Sequence, residues 1–192
     1  MSSESIAVDS NLTLVTLGRR GLLVVGGLPG AGKSTLIGGL PDTQGITVLD
    51  SDQVRTRLRA ALPGRLPYPV YRPVVHATHW FRILRHALRA KGPVVVHEPA
   101  TRGLTRVAFR VMAALTGREP HLLWVDSAPE EALRGQRQRG RVVRSRSFQR
   151  HVRRAQPIRC ALLGGTPLPG WLSCRLVSRG EARHGMRLAV TG

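Results

Sequence analysis

The chain alternates short apolar runs with longer segments whose apolar residues recur every three or four positions. Leu22–Val25 is unbroken apolar and predicts a buried strand. Ile46–Leu49, Pro93–His97, His121–Val125 and Arg175–Val177 predict four more, of which Pro93–His97 is too apolar to be anything but central. Helical periods lie between them. Leu36, Ile37 and Leu40 predict a short helix ended by Pro41. Residues 52–62 predict a helix capped by Asp52 and stopped by Pro63. In 74–90, Val75, His79, Ile83 and Ala87 form one stripe, with Trp80, Leu84 and Leu88 beside it. Residues 103–116 predict a helix closed by Gly117. The next opens at Pro129, with Glu130 and Glu131 where the helix dipole favours acid. Residues 148–161 predict a last, basic helix. Such alternation makes an α/β fold, a three-layer α/β/α sandwich around a mostly parallel five-stranded sheet.

The connections carry their own signals. Pro63, Pro67, Pro69 and Pro73, with Tyr68 and Tyr71, predict a loop over 63–73 whose tyrosines either line a substrate pocket or pack the loop down. Residues 1–20 read as a flexible lead-in in which Leu12–Leu17 is a candidate edge strand, 21–180 as one domain with an arginine-rich lid at 134–146, and 181–192 as a tail. A chain of 192 residues fits one domain with a core of its own. Cys160 and Cys174 form no C-x-x-C pair, which fits a reducing compartment and argues against disulfides or a zinc site. The first twenty residues hold Glu4 and Asp9 and no basic start before an apolar core, and the longest apolar run is too short to span a bilayer. A cytoplasmic protein with no membrane partner is expected.

One stretch changes the picture from fold to chemistry. Behind the first predicted strand stands Gly27-Leu-Pro29-Gly30-Ala31-Gly32-Lys33-Ser34-Thr35, which fills every fixed position of the phosphate-loop (Walker A) pattern. Glycines let the backbone curl so that several N–H groups face one phosphate chain. Lys33 adds a point charge near the β- and γ-phosphates, and the Ser34 hydroxyl can complete a Mg²⁺ shell. A chance glycine-rich turn would not also follow a strand and open a helix. The cofactors expected are ATP and Mg²⁺.

Ligands in parallel sheets sit beyond the carboxyl ends of the strands. Those ends hold the phosphate loop, Asp50 and Asp52, Glu98 and Asp126, a concentration of acid in a chain that has only 11 Asp and Glu. Asp50 reads as support for the Mg²⁺ shell or the strand end, and Glu98 as a carboxylate that orients Mg²⁺-bound water or an acceptor hydroxyl. His97 reads as a substrate contact or a buried neutral histidine. His76 and His79 lie one helical turn apart, with His86 beyond; helix histidines without a carboxylate or cysteine beside them are usually surface or boundary residues rather than metal ligands.

The net charge is +19 and the pI about 11.9, a balance that suits an anionic partner. Lys33 and Lys91 are the only lysines, so the charge is nearly all arginine, a bias that GC-rich codons would also produce. The distribution says more: no acid occurs between Glu131 and Glu181, so a basic face over 134–179 is expected. Phe148 and Trp171 are too few to make a base-stacking platform there.

Together, Gly27–Thr35, Leu49-Asp-Ser-Asp52-Gln-Val-Arg55, Ala128-Pro-Glu-Glu and Arg139-Gly140 resemble the P-loop kinases of the AAA-33/zeta-toxin-like group, among them polynucleotide 5′-kinases and chloramphenicol phosphotransferase. The likeness runs over about 22–160. It implies a P-loop NTPase fold of the kinase kind and Asp52 as the base that takes the proton of the acceptor hydroxyl. It also implies Arg55 one turn on as the acceptor's grip, and Arg139 in the lid over the transferred phosphoryl group, with Arg137 a further nucleotide contact. The lid arginine expected four residues before Arg139 falls on Gly135, a departure for which Arg134, Arg137 and Arg141 are the candidate replacements, and the strand-end aspartate is replaced by His97-Glu98. The expected activity is transfer of the ATP γ-phosphate to a hydroxyl of a small molecule. The alternatives are a polynucleotide 5′-hydroxyl kinase, for which nucleic acid would bind the 134–179 stretch, and a nucleotide-hydrolysing switch. A switch would need no acceptor base, which argues against the last.

Overall fold

The computed structural model describes residues 12–40, 45–62, 66–140 and 142–191. Its layers follow from one strand. β2 (Gly21–Gly27) is buried along its whole length, and its side chains alternate between two cores. Leu23 and Val25 point into a cluster with Leu36, Ala132, Phe148 and Ile158, contributed by α1 (Lys33–Ile37), α5 (Pro129–Gln138) and α6 (Ser145–Leu163). Leu22 and Val24 point into a second cluster with Ile83, Phe109 and Ala113 from α3 (Tyr68–Arg89) and α4 (Gly103–Thr116). The sheet therefore has helices on both faces.

β3 (Thr47–Asp50), β4 (Val94–His97), β5 (Glu119–Asp126) and β6 (Ser173–Ser178) complete a five-stranded sheet of order β3-β4-β2-β5-β6 in which every pairing is parallel. Because every pairing is parallel, the carboxyl ends of the strands lie at one edge of the sheet, and the phosphate loop, Asp50, His97 and Asp126 share it. Among the described residues no helix is long and apolar enough to cross a membrane.

Four local expectations need correction. Thr13–Gly18 is a strand (β1), but it does not extend the central sheet. It pairs in parallel with β7 (Met186–Thr191) in a separate two-stranded sheet, Thr13 opposite Met186. Residues 181–192 are thus not a tail: they hold the end of α7 (Arg179–Ala182) and β7, whose Met186 and Leu188 are buried. A short strand with alternating exposure looks like a polar terminus when its partner lies far away in sequence.

The third correction concerns the proline-rich segment. α3 begins at Tyr68, not at Val74, with Pro69 in its first turn and Pro73 inside it. A first-turn proline loses no helical bond, and an interior one costs ~3 kcal/mol. Here Tyr71 and Val75 bury against Val54 of α2 (Ser51–Ala61) in a small core of their own, which repays a cost of that size. Tyr71 is therefore a packing residue. Tyr68 meets it edge-on at 5.4 Å. The fourth correction is the α2 cap, which is Asp50 and not Asp52. Pro41, Pro63 and Arg141 lie outside the described residues.

Candidate functional site

The strand-to-helix turn after β2 is built from glycines in conformations that side chains resist: Gly27, Gly30 and Gly32 have φ of 136°, 89° and 115°. Lys33 curls back over this loop. Its Nζ donates to the carbonyl oxygens of Gly27 at 3.0 Å and Leu28 at 2.8 Å, and the side chain is buried. Burial pushes the ammonium down to about 8, against the attraction of Glu98 and with the repulsion of Arg139. Ala31 is buried under the loop, its N–H bonded to Leu28 O at 3.0 Å.

The loop is tied to the lid. Arg139 Nη1 donates to Ser34 Oγ at 3.1 Å and Nη2 to Thr35 Oγ1 at 3.2 Å. The expected lid arginine and the expected Mg²⁺ hydroxyl are thereby brought together. Gln136, which the sequence did not single out, does as much: its Nε2 donates to Pro29 O, and its Oε1 accepts from Val143 N, both at 2.8 Å. Arg179 was missed as well. It reaches from α7 to the carbonyl oxygens of Gly30 and Glu131. A cavity of about 410 Å³ opens beside Gly32 and Thr35, and Arg134, Arg139, Arg179 and Arg183 give it four guanidinium groups. Arg137 is exposed on α5 and is not part of that wall. The wall is drawn from the phosphate loop, α5, and α7 with the residues beside it.

At the next strand end, Asp50 and His97 are directly opposite in the β3–β4 ladder. His97 Nδ1 donates to Asp50 Oδ2 at 2.7 Å, and Asp50 Oδ1 accepts the Asp52 N–H at 2.8 Å. Burial alone would raise the Asp50 carboxyl, but the His97 hydrogen bond and charge and the Asp52 N–H outweigh it and hold it below the ordinary range. So His97 is not an isolated buried histidine. It fixes the cap that starts α2 and thereby the backbone at Asp52, which lies in the first turn. Arg55, one turn further, stacks over Tyr68 at 4.2 Å.

Glu98 follows His97. Burial pushes its carboxyl up to about 7, against the pull of Lys33. A half-buried carboxyl of this kind, a second carboxylate at Asp50 and the Ser34 hydroxyl are hard oxygen donors that suit Mg²⁺, an ion that takes few protein ligands. The fit is one of donor chemistry. Among the described residues no group of three or more His, Cys, Asp and Glu forms a cage for another metal. His76 accepts from Arg72 at 3.3 Å, and His79 is wholly buried. Asp126 is taken by Arg159, whose Nε donates to both its oxygens at 2.8 and 3.0 Å.

The AAA domain family profile AAA_33 matches residues 22–158, most of the chain, from the first residues of β2 into α6. The chain belongs to this family. No curated protein sequence matches it significantly. Among solved structures it is similar to a gluconokinase from Sinorhizobium meliloti 1021 (17% identity, 87% of this chain and 89% of that one, TM-score 0.51). It is similar also to a shikimate kinase from Acinetobacter baumannii (19% identity, 85% and 87%, TM-score 0.50) and to a Deinococcus radiodurans tunicamycin resistance protein (19% identity, 72% and 81%, TM-score 0.50). At these identities the likeness is one of fold: this AAA domain protein has the three-layer, all-parallel architecture of P-loop kinases.

Proposed function

We propose that this protein is an ATP-dependent phosphotransferase that moves the γ-phosphoryl group of ATP to a hydroxyl of a small molecule. The observation that carries the reading is the chain His97–Asp50–α2, which holds Asp52 in the first turn of its helix at the same sheet edge as the phosphate loop. A nucleotide switch has no use for a carboxylate so positioned.

In the reaction the acceptor oxygen bonds to the γ-phosphorus as the bond to the bridging β–γ oxygen breaks. ADP leaves with that electron pair, and the hydroxyl proton passes to Asp52. Lys33 leaves its two carbonyl partners to meet the phosphates. Arg139 turns from the Ser34 and Thr35 hydroxyls to the transferred group, where its charge offsets what develops in flight. Arg134, Arg179 and Arg183 surround the remainder of the nucleotide, with Arg137 at the rim. Arg55, levelled by Tyr68, grips the acceptor. Ser34, Asp50 and Glu98 would hold Mg²⁺, which would supply charge neutralisation to the phosphates. A cytoplasmic setting suits an enzyme that consumes ATP.

The second reading is a polynucleotide 5′-hydroxyl kinase. What favours it is the row of exposed arginines on and before α6: Arg144, Arg146, Arg150, Arg153 and Arg154. One experiment separates these. Label from γ-labelled ATP is offered with Mg²⁺ to aminoglycoside-, nucleoside- and phenicol-type molecules and to a 5′-hydroxyl oligonucleotide. Transfer to a small molecule is expected. Transfer to the oligonucleotide alone, falling steeply with salt, selects the second reading, and tight ATP binding with transfer to nothing contradicts both.

A further inference from the structure

A larger cavity, of about 920 Å³, has Asp52 in its wall. It follows β3, the edge strand of the sheet, between α2 and α3. Asp52, Gln53 and Arg57 line it from α2, and Phe81, Arg82 and Arg85 from α3; among the described residues Asp52 is the one carboxylate on this wall. Phe81 is 65% exposed and gives it an apolar rim.

Three guanidinium groups facing one carboxylate are not an arrangement that folding rewards, because like charges repel. Arg82 bears most of the cost. Burial and then Arg57 lower its affinity for its proton, with Asp50 opposing, and Arg82 and Arg85 in turn add to the effect of burial on His86. Arg82 Nη2 donates to Gln53 Oε1 at 3.0 Å, but its buried Nη1 has no hydrogen-bond partner among the described residues. A partly desolvated guanidinium with an unused N–H, set beside another guanidinium, is relieved by an anion and by little else.

We infer that this groove holds a phosphate group carried by the acceptor, so that the substrate class is a hydroxyl compound already bearing phosphate. The inference rests on the kinase reading of Asp52 and narrows it. A phosphate matches three guanidinium groups better than a single carboxylate does, since it brings up to two charges and accepts bidentate contacts. The cavity is far larger than one phosphate, which leaves room for the rest of the acceptor between the arginines and Asp52.

The test is calorimetric titration of the full chain saturated with Mg²⁺ and a non-hydrolysable ATP analogue, so that the phosphate loop is filled. The probes are glycerol 3-phosphate, glycerol and a 5′-hydroxyl octadeoxynucleotide. Phosphate-bearing probes are expected to bind and glycerol not to. Arg82→Gln is expected to weaken binding at least tenfold with the affinity for the analogue unchanged. Arg57→Gln and Arg85→Gln, at exposed positions, give the same direction where Arg82→Gln unsettles the fold. Glycerol 3-phosphate binding alone assigns the phosphate to a small molecule, and oligonucleotide binding alone to a nucleic-acid backbone; both bear out the anion site. Binding of neither phosphate probe, or binding that all three variants leave unchanged, overturns it. The kinase reading fails on a different result, phosphoryl transfer that survives Asp52→Asn.

Discussion

Gly135 and Gly30 meet backbone to backbone: a Cβ on Gly135 would run into the Gly30 carbonyl oxygen, and a Cβ on Gly30 into the carbonyl oxygen of Ala132. This contact is where α5 rests on the phosphate loop. It explains why no arginine stands four residues before Arg139: a side chain at 135 would lift the lid helix off the loop.

Gly135→Ala is therefore expected to cost about 1–3 kcal/mol through overpacking and to weaken ATP binding together with stability. Thermal melts with and without nucleotide check this. An unchanged melting point with unchanged ATP affinity would show that the two backbones can part freely.

Acid sensitivity follows from His79. The side chain is wholly buried, both ring nitrogens lack hydrogen-bond partners among the described residues, and burial pushes it down to about 4. The unfolded chain takes up this proton near the ordinary pKa of ~6.5, so the histidine's contribution is complete above that pH and is lost as pH falls towards 4. Stability should fall in this window by at most ~1.4 kcal/mol per pH unit for this group. His151, also pushed down to about 4 by burial, adds in the same direction. Denaturant titrations at several pH values should show the slope, and His79→Phe should flatten it.

Much of this was legible. The unbroken apolar strand, the phosphate loop and the strand-end acids gave the layers and one edge of the site, because parallel sheets and phosphate cradles impose strict local patterns. What could not be read depends on contacts distant in sequence. β1 and β7 pair across the whole chain. Arg118, one arginine among many in the sequence, is buried and donates to the Ala87, Ala90 and Gly92 carbonyls at 2.6, 2.6 and 3.1 Å, closing the end of α3. Gln136 and Arg179 carried no signal for the same reason: their partners are carbonyl oxygens of the phosphate loop, and any residue supplies a carbonyl. A buried glutamine inside an otherwise charged helix was the one available hint.

Ending the chain after Ala182 should lower stability markedly. It exposes the partners of Met186 and Leu188, each 3% exposed, and removes the only ladder of β1 among the described strands. Each side chain is worth about 1.5–3 kcal/mol, and at ~2–4 °C per kcal/mol for a chain of this size the melting point should drop by about 6 °C or more. A drop of under two degrees would mean that the β1–β7 pair is dispensable.

Glu98 is held at a cost. Its carboxyl is pushed up to about 7. A raised carboxyl contributes stability below its unfolded pKa and loses it as pH rises through 7, so at pH 8 the ionised form strains the nucleotide-free protein. Glu98→Gln should raise the melting point at pH 8 and hardly alter it at pH 5, while the Mg²⁺ concentration needed for half-maximal nucleotide binding rises about tenfold. Unchanged Mg²⁺ dependence would remove Glu98 from the metal's surroundings.

The most direct measurement compares the wild-type chain with Asp52→Asn, following both ATP affinity and transfer of γ-label to whichever acceptor the wild type phosphorylates. Loss of the proposed base should lower the transfer rate by about 10²–10⁴-fold and leave ATP affinity within about twofold, since the phosphate contacts proposed are Lys33 and the loop amides. Transfer that persists at the wild-type rate in Asp52→Asn would contradict the account at its centre.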